Sequence, residues 1–268
     1  MKRICLIAVV SCLMVSACNR PIKETDKTPD NAFSVNTITM EDSLQFPPEA
    51  LEEWMDNDMA RYSLKVDVPV TENKVLNNNI IKWMGTVLNE DYDGDPLDLD
   101  AMISFDKKYF LSLETGEPRS VLQRNIKMVE DNDRYVTYHC DTWEYNGGAH
   151  GTTIVEGATF NKTTGERFTS SMFKDRLALC YMIWDALKEQ YFDPLLAGTG
   201  VAFEDAIYGS AAEDLPMPES GPWIQNDSVR FIYQDYEIAA HALGLPECGI
   251  AYSDLKDNLT EVGKAFFE

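Results

Sequence analysis

The stretch from Asn125 to Phe160 constrains the fold more than any other part of the chain. Asn125–Glu130 and Arg134–Tyr145 have β character and flank the turn sequence Asp131-Asn132-Asp133. A second break, Asn146-Gly147-Gly148-Ala149-His150-Gly151, leads into Thr152–Phe160, which ends at the turn Thr164-Gly165. Strands joined by connections this short run antiparallel, because a parallel return needs a crossover of a dozen or more residues. The centre of the chain is therefore a meander of neighbouring hairpins.

The flanking segments add helices to that sheet. Tyr62, Leu64, Val66, Val68 and Val70 alternate with Ser63, Lys65, Asp67 and Pro69, which predicts a half-buried strand with Pro69 near its exit. Leu76, Ile80, Trp83, Met84, Val87 and Leu88 recur at spacings of three and four, the mark of an amphipathic helix. Leu177, Cys180, Tyr181, Trp184 and Leu187 predict the apolar face of a second helix. Prolines 194, 216, 218 and 222 make residues 193–222 mostly loop. Val229–Tyr233 and Gly249–Tyr252 read as short strands, and Ser253 as the cap of a last helix through Leu259. Residues 102–122 have no clear pattern. The predicted class is α+β, an antiparallel β-sheet with hairpins and packed helices.

The first residues address the chain rather than shape it. Lys2 and Arg3 precede the apolar run Ile4–Val15, and Val15-Ser16-Ala17-Cys18 follows. A positive start, a short apolar run and small residues at the end fit a secretory signal, and the run is too short to span a bilayer. A cysteine directly after Ser16-Ala17 resembles the lipobox of bacterial lipoproteins, in which that cysteine is acylated and becomes the new N-terminus. The expected organisation is a signal peptide at 1–17, a lipid-anchored tether at 18–45, one domain at 46–121 and another at 122–268. The tether reading rests on the polar composition of Asn19 to Gln45, which offers little apolar surface to offset the entropy of ordering.

Charge narrows the partners. Lys and Arg number 23 and Asp and Glu 45, a net charge of −22, and losing Lys2 and Arg3 with the leader brings the mature chain to about −24. That excess argues against nucleic acid, whose affinity comes from Lys and Arg on phosphates, and against lying flat on anionic lipid. It favours a cationic partner through steering. With Cys5 and Cys12 lost in the leader and Cys18 taking lipid, Cys140, Cys180 and Cys248 remain, an odd number that leaves one disulfide or three free thiols open.

Three segments are candidates for a site. In Tyr145-Asn146-Gly147-Gly148-Ala149-His150-Gly151, the glycines allow positive φ and close backbone approach, and His150 stands at the tip. The binding residues predicted from it are Tyr145, Gly147, Gly148, His150 and Gly151; a tight hairpin with a backbone-bonded imidazole is the structural alternative. The acidic loop Asn89–Asp100 places Asn89, Asp91, Asp93, Gly94 and Asp100 in an EF-hand-like register, but with asparagine first and aspartate last, and no clear helix after it. It reads as a solvated loop. Phe231–Gly244 reads as core packing, with Phe231, Tyr233 and Tyr236 on one sheet face. The histidines, His139, His150 and His241, show no ligand spacing, and no GxSxG or HExxH motif occurs. No cofactor, metal or catalytic residue is assigned.

Taken in order, Trp143–Gly151 (WEYNGGAHG), Phe160–Glu166 (FNKTTGE), Phe231–Gly244 and Gly249–Leu255 (GIAYSDL) resemble the RsiV-like extracytoplasmic domain family, domain-of-unknown-function family 3298. Tyr62–Val70 and Leu76–Leu88 resemble its N-terminal companion, family 4163. The resemblance covers nearly all of the mature chain. It implies an α+β fold outside the cytoplasm and binding of lysozyme, a cationic protein, or of cell-wall glycan. The chain carries no sigma-binding segment and no deacetylase domain, so neither signalling nor deacetylation is implied. The expected function is that of a non-enzymatic binding lipoprotein in the cell envelope, anchored in the outer membrane on its periplasmic or surface face. The alternative is an enzyme on envelope carbohydrate that uses carboxylates the sequence does not pair.

Overall fold

The computed structural model describes residues 33–47, 59–112, 119–209 and 211–268. The expected signal peptide, Cys18 and the tether as far as residue 32 lie outside the described residues, as do residues 48–58 of the domain expected at 46–121. Among the described residues no helix is long and apolar enough to cross a membrane.

The class is α+β, as expected, and Phe33–Glu268 forms one compact unit. A five-stranded sheet contains β1 (Ser34–Gln45), β2 (Met59–Val70), β3 (Val121–Asp131), β4 (Tyr135–Tyr145) and β5 (Thr152–Asn161), in that order. The pairing is antiparallel except between β2 and β3, which run parallel. That one parallel step is where the chain leaves the sheet through helices α1 (Lys74–Leu88) and α2 (Leu99–Phe110), the long crossover a parallel return requires.

Strand β1 corrects the tether reading. Twelve residues assigned to a disordered arm pair with β2 from Ser34↔Val70 to Gln45↔Met59. Most of their side chains are exposed, so composition looks like that of a linker, while Val35, Met40 and Leu44 pack on the core. Backbone pairing on a pre-formed neighbour orders the segment, and composition does not report that.

Helix α1 is capped by Asn73, whose side chain accepts from the N–H groups of Val75 and Leu76 and donates to the carbonyls of Lys162 and Thr163. Leu76, Ile80, Trp83, Met84, Val87 and Leu88 are buried, the face its spacing predicts. Helix α2 occupies residues the sequence left without a pattern and follows the acidic loop directly, capped by Asp98. Its polarity hides it: Asp106 faces inward, 3% exposed, and accepts from Tyr62 Oη at 2.7 Å and Arg124 Nη1 at 2.8 Å. Burial alone would lower the Arg124 pKa, and Asp106 outweighs it, so the guanidinium stays charged. A buried pair of this kind is completed by its remaining bonds, here Arg124 Nε to Thr142 at 3.1 Å.

A second, smaller sheet contains β6 (Trp223–Gln225), β7 (Ser228–Ile232) and β8 (Glu247–Ala251). Asn226 and Asp227, both at φ 53°, form the two-residue turn between β6 and β7, the conformation that matches strand twist. Helix α3 (Arg176–Leu187) packs on this sheet, but not by the predicted face: Leu177 and Tyr181 are exposed, and Leu179, Cys180, Ile183 and Leu187 are buried. The helix is apolar on more than one side, so spacing alone picks the wrong stripe. Ser253 does not cap the last helix. A single turn, Tyr252–Leu255, is followed by another, Glu261–Lys264, which Thr260 caps.

One sheet crosses the boundary expected at 121/122, through the pairing of β2 with β3. One core joins β1–β5 to α1 and α2; the other lies between the small sheet and α3, and Tyr138 and Tyr135 of the same strand β4 enter one each. The two sheets meet closely. Thr137 Oγ1 donates to the Ile224 carbonyl at 2.8 Å, Ile224 N–H donates to Thr159 Oγ1 at 2.7 Å, and Trp223 lies on Gly157. Cys140, Cys180 and Cys248 are all free and buried, which answers the disulfide question for these three.

Candidate functional site

The glycine loop joins β4 to β5, as predicted. Gly147 and Gly148 take φ of 88° and 84°, a region that costs other residues on the order of 1 kcal/mol. Tyr145 Oη donates to the Gly148 carbonyl at 3.0 Å, and Asn146 donates to Glu144, so the loop closes on its own side chains. Gly151 has a different reason to be glycine: a Cβ there would stand 2.9 Å from Cε2 and Cζ2 of Trp143. The indole lies on the turn because that atom is missing. Trp143, 39% exposed, and Tyr145 point to the same side of β4, with near-parallel rings at 11° and centroids 6.4 Å apart.

Distant residues complete the loop. His150 donates from Nδ1 to the Gly151 carbonyl at 3.1 Å, and its ring stacks on His241 with centroids 3.9 Å apart and 16° between planes. Nδ1 of His241 is 2.9 Å from Oδ2 of Asp235, a close approach that lacks hydrogen-bond geometry. Tyr236 stacks near His241 at 5.9 Å. It is 58% exposed and has φ 64°, so the segment read as core packing buries Phe231 and Tyr233 and turns Tyr236 outward. A positive φ at a tyrosine is a local strain that surrounding contacts must hold in place. Those contacts start at Gln234, whose amide donates to the Val155 carbonyl at 2.7 Å and accepts from the Val155 N–H at 3.1 Å, as a strand partner would.

Sequence spacing shows none of this, because His150 and His241 are 91 positions apart and brought together by docking of the small sheet. The available signal was the pairing of two singled-out segments, each with a histidine beside glycine or alanine. His139 stays apart from them, on the outer face of β4, 5.5 Å from Trp223 and 3.4 Å from Asp141.

The histidines and carboxylates around the loop are engaged in local contacts. Among the described residues neither stacked imidazole bonds a hydroxyl or thiol that it could activate. Burial pushes the Glu237 and Glu156 carboxyls up. Glu237, however, accepts from the N–H groups of Gln234 and Glu219, and Glu156 faces Arg167 and Arg124. The acidic loop is equally occupied: Asn89, Asp95 and Asp98 accept from N–H groups of Asp91, Leu97 and Ala101. A Cβ on Gly94 would stand 2.3 Å from Tyr92 Oη, so that glycine makes room for a tyrosine. No group of three or more His, Cys, Asp or Glu among the described residues could hold a metal ion.

The outer face of the large sheet continues from Trp143. Glu41, Ser63, Gln123, Trp143 and Thr153 lie in one row across the five strands, and Thr39, Lys65, Asn125, Asp141 and Val155 form the next. The small sheet covers this face from Val155 and Gly157 onward. The uncovered part is a shallow concavity of about 440 Å³ between Ser63, Lys65, Gln123, Asn125, Trp143 and Thr153.

No family model matches the sequence, and neither does a curated protein. Solved structures do resemble it. A crystal structure of a member of the DUF3298 family from Bacteroides fragilis aligns over 89% of this chain and 98% of its own, with TM-score 0.60 and 16% identity. A DUF3298 family protein from Pseudomonas aeruginosa aligns over 87% of this chain and 96% of its own, with TM-score 0.54 and 14% identity. The chain therefore has the fold of these proteins, across both sheets.

Proposed function

We propose that this chain is a DUF3298-type protein in lipoprotein form, RsiV-like with the 4163 companion as its N-terminal part, and that it serves as a non-enzymatic binding module of the cell envelope. Lipid on Cys18 would hold it in the outer membrane, on the periplasmic or surface face. The shared fold supports the family reading, and the lipobox order Val15-Ser16-Ala17-Cys18 supports the anchor. One observation carries the binding reading: the stack of His150 on His241 pins the glycine loop to the C-terminal segment and leaves Trp143, Tyr145 and Tyr236 at one rim. Those histidines and carboxylates are spent on holding the rim, which favours recognition over an enzyme working on envelope carbohydrate.

The partner is a cationic wall-acting protein such as lysozyme, or wall glycan. The net charge of −22 supports the first by steering a cation toward the chain. The test is lysozyme and wall-fragment binding at physiological salt by wild type and by a folded Tyr145→Ala, His150→Ala double variant. Binding by wild type that the variant loses is expected. Binding that the variant retains would move recognition away from the rim, and no binding of either ligand would remove the module reading. Membrane fractionation of Cys18→Ser tests the anchor, with release from membranes as the expected result.

A further inference from the structure

We infer that the open outer face of the large sheet, beside Trp143, is a platform for an uncharged sugar chain of the N-acetylhexosamine type. This deepens the binding-module reading and rests on it.

The argument begins with charge. The two open rows hold Glu41, Lys65 and Asp141, and with the row on either side, which adds Arg61, Asp67 and Lys127, the face sums to zero in a chain of −22. Lys127 and Asp141 are paired at 2.8 Å. Arg124, on the opposite side of the sheet, is held by Asp106. The acidic excess lies elsewhere, so on this face charge favours the glycan of the two partners named above. A neutral polymer loses nothing by docking on a neutral face.

The side chains then select the kind of neutral polymer. A pyranose ring has an apolar C–H face and a polar edge, and it needs a flat apolar partner beside groups that both donate and accept. Trp143 and Tyr145 supply near-parallel rings. Gln123 pairs with Trp143 across β3 and β4 and is exposed, and Asn125 is two residues along with its Oδ1 buried, so Gln123 is the carboxamide open to both roles. Carboxamides donate and accept at once, as hydroxyl and acetamido groups require. Ser63 and Thr153 add hydroxyls at either end of the same row. Adjacent strands are about 4.8 Å apart, so the row from Ser63 to Thr153 runs for roughly 14 Å, long enough for a chain laid across the strands rather than a single ring. Gly151 keeps the indole flat on the turn, which gives the glycine loop a part in the same surface.

The experiment titrates the full chain in detergent with the β-1,4-linked tetramer of N-acetylglucosamine, and in parallel with lysozyme, by calorimetry at low and high salt. The tetramer should bind, with affinity unchanged by salt because no net charge is involved. Trp143→Ala and Gln123→Ala should each weaken it at least tenfold, and Trp143→Phe should keep most of it. Gln123 is exposed, so its variant stays informative should Trp143→Ala fold poorly. Tetramer binding that survives both alanine variants overturns the platform. So does absence of tetramer binding beside clear lysozyme binding, which leaves the module reading standing. Silence toward both ligands overturns the two together.

Discussion

Asp141 shows how single residues on the sheet's outer face are tuned. The contact with His139, at 3.4 Å, is the main cause that holds its carboxyl down to about 2, with Lys127 adding to it and partial burial opposing. An unfolded aspartate titrates near 3.9, so the folded pKa is depressed. The stabilisation from Asp141 is then complete above about pH 4 and lost as pH falls through about 2. With 39% of the side chain exposed, solvent screening limits it to about 1 kcal/mol or less. Denaturant melts of wild type and Asp141→Asn should differ near pH 5 and converge as pH falls from about 4 to about 2. Parallel profiles down to pH 2 would contradict the assignment. The sequence shows His139 and Asp141 at strand spacing, on one face, but Lys127 joins them only through the β3–β4 register.

Among the elements, β1 separates composition from structure. A tether at 34–45 could be deleted without effect on the folded part. A paired strand could not, because its loss exposes the edge of β2 and the apolar surface under Val35, Met40 and Leu44. Partial burial of three such side chains is worth on the order of 3 kcal/mol. Deletion of residues 34–45 should therefore lower the melting temperature by several degrees and reduce soluble yield. An unchanged melting curve would restore the tether reading. Helices α1 and α3 make the same point from the other side. Spacing identifies the buried face of α1 because its opposite face is polar, whereas α3 is apolar on several sides and its buried stripe is decided by the sheet it meets.

For the whole molecule, the two sheets join where Trp223 lies on Gly157. A Cβ at Gly157 would stand 2.2 Å from Cδ2 of Trp223, with Gly157 in the middle of a strand that cannot retreat. Gly157→Ala should cost about 1–3 kcal/mol through overpacking. It should also loosen the docking that brings His241 to His150, seen as altered near-ultraviolet circular dichroism and a broader melt. A variant with wild-type melting and spectrum would show that the sheets are not coupled there. Rim and docking belong together, since Gln234 anchors the C-terminal segment on the Val155 backbone just before Tyr236 turns outward.

The sequence by itself determined the features that local physics controls. Hairpins follow from alternation and turn residues, helix α1 follows from 3.6-residue spacing, and the α+β class follows from these parts. It also marked the glycine loop, because positive φ is a property of single residues. Tertiary structure decided what depends on a partner far along the chain: that Ser34–Gln45 is a strand, that an aspartate on α2 faces inward to meet Arg124, and that His150 stacks on His241. Each of these is a contact whose energy belongs to two segments at once. No periodicity or composition within either segment contains it.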